Sequence, residues 1–109
     1  MKQFLILCCA ISLVACKTNL PEIPPTLKTD KVPHDSDDPA IWVNKQNLEQ
    51  SIIFGTDKDE VNGGVYAFDL NGKLIKDKAI TGVSYPNNVD VEYGFKLTDS
   101  TETDIMMFT

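Results

Sequence analysis

The sequence predicts an all-β fold, and three observations carry that expectation. Short runs rich in Ile, Val, Phe and Tyr recur between residues 40 and 109. Gly, Asn, Asp and Pro punctuate them at close spacing, as turn residues between strands do. No long segment keeps a 3.6-residue apolar period; "NKQNLEQS" around Leu48 is a weak exception. Many short strands with such turns fit a sandwich, a barrel or a propeller.

The first expected strand is "AIWV", Ala40–Val43, entered through the Asp38-Pro39 pair, a natural loop-to-strand junction. "SIIFGT", Ser51–Thr56, is the second. "GVYAFDL", Gly64–Leu70, alternates loosely, with Val65 and Ala67 on one face and Tyr66 and Phe68 on the other. Asn71-Gly72 follows. Asn-Gly between two strand-like runs predicts a type I′ hairpin, because both central positions of that turn need positive φ. The returning strand would be "KLIKDKAI", Lys73–Ile80. "NVDVEY", Asn88–Tyr93, and "DIMMFT", Asp104–Thr109, complete the set. The last run closes the sequence without a polar cap, and an apolar strand so placed wants a neighbour. The expectation is a folded domain over 34–109 that is the first part of a longer protein.

A different composition precedes the domain. Lys2, an apolar run from Phe4 to Ala15 and then Cys16 form an export signal over residues 1–15, too short to span a bilayer. "LVAC" resembles the bacterial lipobox, which implies cleavage before Cys16 and lipidation of that thiol; an ordinary signal peptide cut nearby is the alternative. Lys17 after Cys16 is similar to outer-membrane sorting signals, so the expected place is the bacterial cell envelope. Residues 16–33 carry four of the six prolines and read as an extended tether.

The 109 residues carry a formal charge of -6, which argues against nucleic acid and is compatible with cation binding. All three cysteines, Cys8, Cys9 and Cys16, lie in or beside the leader. A mature chain therefore has no disulfide framework, thiolate zinc site or dithiol redox centre.

The chemistry-bearing residues form three groups. "HDSDDP" gathers His34, Asp35, Asp37 and Asp38 before the first strand. It reads either as a solvated turn or as part of a calcium site, since calcium takes carboxylate oxygens on flexible loops. His34 has no assigned role. "NNVDVEY" supplies Asn87, Asn88, Asp90 and Glu92; in a strand Asn88, Asp90 and Glu92 would share one face, which is equally a polar outer face. "TDK" places Lys58 at a strand end, where it is either a surface lysine or a point charge for an anion such as phosphate.

"DDPAIWV", "GTDK", "GVYAFDLNGK" and "NNVDVEY", in this order and at these spacings, closely resemble the N-terminal blade region of the β-propeller phytases. The resemblance covers Asp35 to Thr109. It implies the first blade or blades of a six-bladed propeller, incomplete in this chain. It also implies calcium-dependent hydrolysis of phytate, myo-inositol hexakisphosphate, by metal-activated water, as in 3-phytases. By the same resemblance Lys58 contacts substrate phosphate. Asp37 and Asp38 are calcium ligands, and Asn87, Asn88 and Asp90 lie near bound calcium. Partners would be inositol phosphates and, through Cys16, a membrane; the complete protein would be a monomer.

Two positions depart from the family pattern. Asp59 stands where well-known members have a second lysine, and the loop "DEVNGG" after Lys58 is longer. Glu92 stands where those members often have arginine. Both changes remove positive charge. They leave room for a non-catalytic, calcium-binding surface propeller lipoprotein; an inactive gene fragment is a further alternative.

Overall fold

The computed structural model describes residues 20–109, so the expected leader 1–15, Cys16 and the first residues of the tether lie outside the described residues. Six strands form: β1 Ser36–Trp42, β2 Ile52–Asp57, β3 Gly63–Phe68, β4 Ile80–Val83, β5 Val89–Thr98 and β6 Thr101–Phe108. Strands β1 to β4 make one antiparallel meander in chain order, and β5 and β6 make a separate hairpin. β5 returns to lie against β1. One four-stranded meander followed by a hairpin beside its first strand is the arrangement of one propeller blade and the start of the next. The fold is all-β and antiparallel, and the described residues form no closed ring.

The core sits on β3. Val65, Tyr66, Ala67 and Phe68 are all buried, so the two faces of the strand do alternate, but neither faces water. Pairing with β2 on one side and β4 on the other also covers both edges of the strand. At the head of β3, a Cβ on Gly63 would stand 2.6 Å from both Asp57 O and Pro86 Cδ, so only glycine admits that approach.

Three expectations need correction. First, β1 starts at Ser36, so Asp37 and Asp38 belong to the strand instead of preceding it. Second, the turn after β3 is not type I′. The Gly72 N–H donates to Asp69 O at 2.9 Å and only Gly72, not Asn71, has positive φ, +76°. The Asp69 carboxylate decides this, because Oδ1 accepts the N–H groups of Asn71 and Lys73, both at 2.8 Å. Third, 73–80 is not one strand. Leu74 bridges Phe68, the exposed charges of Lys76–Lys78 turn out as a 3-10 turn, and pairing resumes at Ile80. The weak helical signal around Leu48 is a 3-10 turn over Leu48–Gln50, its first N–H groups capped by Asn47.

The C-terminal run has the neighbour it wants on one side. β6 pairs with β5, a hairpin longer than its apolar residues indicate. Side chains dock this hairpin on β1. The Trp42 Nε1–H donates to Asp104 Oδ2 at 2.8 Å, and the Val43 N–H donates to the Tyr93 hydroxyl at 2.8 Å. The last part of the proline-rich stretch also touches the blade. The Asp30 N–H donates to Gly72 O at 2.7 Å, and its carboxylate accepts the Leu74 N–H and pairs with Lys73, both at 3.1 Å.

Candidate functional site

Ser36 pairs with Asp57 but Pro39 pairs with Gly55, so β1 carries one extra residue between them. Such a bulge bends the strand and re-aims its side chains. The result is that the two adjacent carboxylates part. Asp37 reaches Lys58, with Oδ1 3.1 Å from Nζ. Asp38 turns toward the second sheet, and its Oδ2 accepts the Val89 N–H at 3.0 Å.

Thr56, buried at the end of β2, joins the three segments. Its hydroxyl accepts the Asp38 N–H at 2.9 Å, and Asp38 O and Asn87 O, each 3.3 Å away, share its one hydrogen as acceptors. The start of β1, the end of β2 and the approach to β5 thus meet at one side chain.

Asp57 is the residue the sequence reading passed over. It has no exposed surface, and its two oxygens take four N–H groups. Oδ2 accepts from His34 N at 2.9 Å and His34 Nδ1 at 3.0 Å; Oδ1 accepts from Asp35 N at 2.9 Å and Asp59 N at 3.4 Å. Burial raises its pKa, but the N–H groups of Asp35, His34 and Asp59 outweigh burial and hold it below the usual carboxylate range. It ties the chain before β1 to the chain after β2. The Lys58 N–H bond to Asp35 O, 2.8 Å, adds to the same joint. Lys58 is therefore fixed at its backbone, and the hydrogen-bonded Asp37 carboxylate, helped by Asp35 and Tyr85, pushes its ammonium above the usual lysine range.

Asp59, the departure from the family pattern, works within its own loop. Its Oδ1 accepts the Asn62 N–H at 2.7 Å and the Val61 N–H at 3.0 Å, which lower its pKa in that order. Facing this loop is Tyr85, the one non-glycine residue with positive φ among the described residues, 55°. Its N–H donates to Asp59 O at 3.1 Å, and Ser84 Oγ donates to Glu60 O at 2.7 Å. An aromatic residue in left-handed backbone beside Lys58 is strain held at the site.

The other expected ligands are less engaged. Asn87 reaches this region through its carbonyl, which faces the Thr56 hydroxyl, and the backbones of Asn87 and Asn88 bond Thr109. Asp90 and Glu92 are exposed on β5 while Val89 and Val91 turn inward, so the polar outer face is what forms. Among the described residues no three His, Cys, Asp or Glu side chains converge as a metal-holding group. The donors at the bulge, hard carboxylate oxygens, suit calcium in kind. They fall short in number, since calcium takes six to eight oxygens and Asp37 and Asp38 each already spend one on a protein partner.

Beside the bulge opens a cleft of about 390 Å³, with Lys31, His34, Ser36, Asp37, Asp38 and Thr56 among its walls. Lys31 is the one lysine among these walls, and the carboxylates around it repel a bare anion. Next to the cleft, the bulge sets carboxylate oxygens beside the Asp37-paired ammonium of Lys58.

The sequence model of the Phytase family matches residues 7–108 of this chain. A 3-phytase of Bacillus subtilis (strain 168) is 37% identical over 62 residues, 57% of this chain and 15% of that protein. The matched stretch is thus a small part of the relative's length. No solved structure matches the chain.

Proposed function

The chain belongs to the phytase family, and from that premise we propose that it supplies the first blade and one wall of the site of a calcium-dependent phytase. The observation that carries this reading is Lys58, held 3.1 Å from Asp37 at a bulge that also carries Asp38. A substrate bearing six phosphates meets carboxylates at this bulge and needs their charge reversed before it can bind. Calcium held by these carboxylates would supply that positive charge and Lewis-acid activation of water. Asp37 and Asp38 are the ligands this chain offers; Asn87, Asn88 and Asp90 are the further oxygen donors that the family resemblance adds. Lys58 takes one phosphate oxygen as a point charge, and the Asp35 and Asp57 bonds hold it ready to do so.

The remaining expectations keep the same standing. "LVAC" supports a lipid anchor at Cys16 and a place in the bacterial cell envelope. A closed ring that covers its blade edges supports a monomer. One meander and one hairpin alone present open edges, so the isolated segment is expected to be inactive.

The test is phosphate release from phytate by the intact gene product, with calcium and with chelator. Calcium-dependent release, with KM raised roughly tenfold or more by K58A, is the expected result. An intact protein that folds and binds calcium yet releases no phosphate would make this a binding propeller.

A further inference from the structure

We propose that His34 is the proton-transfer group of the cleft, oriented by the buried carboxylate of Asp57; this rests on the phosphate-ester hydrolysis proposed above. The imidazole is held at two points by one oxygen. Asp57 Oδ2 accepts both the His34 backbone N–H, at 2.9 Å, and Nδ1, at 3.0 Å. Only an N–H can face an ionised carboxylate at that distance, so Nδ1 carries a hydrogen, and in the neutral ring the Nε2 lone pair lies at the far side. All four N–H groups on Asp57 come from the protein, and the side chain has no exposed surface. Asp57 therefore acts through His34 and does not touch a ligand.

The ring itself is open to the cleft. Its side chain is 40% exposed, and His34 lines the cleft together with Lys31, Ser36, Asp37 and Asp38. The charged groups around the imidazole are Asp57 at Nδ1, Asp35 next in the chain, Asp59 on the loop after β2, and the cleft residues Asp30, Lys31, Asp37 and Asp38. A buried carboxylate, an imidazole of fixed tautomer and an open Nε2 make the pattern of an oriented general base.

The step balances without any further reactant. The Nε2 lone pair takes one proton from water as the water oxygen bonds to phosphorus. The ester P–O bond breaks, and its electron pair leaves on the alcohol oxygen. That oxygen, on the opposite side of phosphorus, takes a proton from solvent, and Nε2–H returns one to solvent. Water is consumed, alcohol and phosphate leave, and the imidazole is neutral again. Asp57 offsets the positive charge while the ring holds the proton.

The test uses the intact gene product with calcium and phytate, comparing wild type with H34N. Asparagine keeps an N–H donor where Nδ1 stands and removes Nε2. The expected result is a fall in kcat of roughly 100-fold or more, with KM changed less than about twofold and the basic-group limb of the pH profile lost. A kcat and pH profile like those of wild type would overturn the role of His34 while leaving the phytase reading standing. A wild type that releases no phosphate would overturn both. Long-range 15N correlation of the His34 ring in the wild type gives an independent readout, also decisive if H34N fails to fold. An Nδ1–H tautomer with a free Nε2 is expected, and an Nε2–H tautomer would overturn the proposal.

Discussion

The Asp38 carboxylate accepts the Val89 N–H at 3.0 Å, across 51 residues of chain. With the Tyr93 hydroxyl on Ile41 O, this bond joins the first strand of the blade to the first strand of the hairpin beside it, where no ladder connects them. Val89 is buried, so its amide has no ready substitute in water. D38A is expected to cost about 1–3 kcal/mol, the penalty for an orphaned buried donor. D38N keeps an acceptor oxygen and is expected to recover most of that. Urea unfolding of the intact protein in chelator measures the packing role alone. The same pair with excess calcium shows whether charge at this position also matters, since only D38N separates the two.

Asp57 predicts a dependence on acid. Its native pKa lies below the ordinary value of 3.8, so the unfolded chain takes up a proton first as pH falls. The contribution is full above about pH 5 and is lost as pH drops through 3.8 toward the lower native value. Urea midpoints from pH 7 to pH 3 should fall for wild type. D57N should show a shallower slope and start about 2 kcal/mol lower, because an amide NH₂ meets donors it cannot accept. Parallel slopes for the two proteins would show that other carboxylates govern acid sensitivity.

Gly72 carries two constraints at once. Its φ is +76°, and a Cβ there would stand 2.6 Å from Lys28 O and 2.9 Å from Thr29 Cα. G72A is expected to cost about 1–2 kcal/mol from backbone strain and to push the Lys28–Asp30 segment off the turn. Limited trypsin digestion after Lys28 and Lys31 should then quicken. D30A should quicken the same cleavage, with little change in the urea midpoint. Unchanged cleavage in both would mean that the contact is not kept in solution.

Tyr85 holds left-handed backbone without being glycine. Y85G should relieve that strain and raise stability by about 1 kcal/mol. If the strained tyrosine serves the site, KM for phytate rises while stability improves, a trade that thermal melts and kinetics on one preparation can reveal.

Much of the blade is legible in its apolar runs. "SIIFGT" and "GVYAF" become β2 and β3 because Ile, Phe, Val and Tyr have one good way to be buried on a pleated surface. The long reach of β5 and β6 is not legible, because Lys96, Thr98, Thr101 and Glu102 pair through the backbone while their side chains stay wet. The turn at Asn71-Gly72 misleads for a local reason. Two residues upstream, Asp69 offers its carboxylate to the same backbone groups that a type I′ turn would leave elsewhere. At the site, Lys58 and Asp37 are visible as charges, and the resemblance to the phytases gives them a shared purpose. The bulge that parts Asp37 from Asp38 is a matter of register, which no residue type announces. Nor does any pattern mark Asp57. A carboxylate at a strand end reads as surface until the N–H groups that surround it, 22 and 23 residues away in sequence, are in place.

The seat of Asp30 on the Gly72 turn has a mechanical meaning. A pull delivered through residues before Lys28 meets the Asp30 bonds to Gly72, Lys73 and Leu74 before it reaches the chain entering β1. The load enters the blade at its β3–β4 bend, among backbone bonds that share it. Ser36, Asp37 and Asp38 sit downstream of that cleat, and tension on a leash would leave their positions undisturbed.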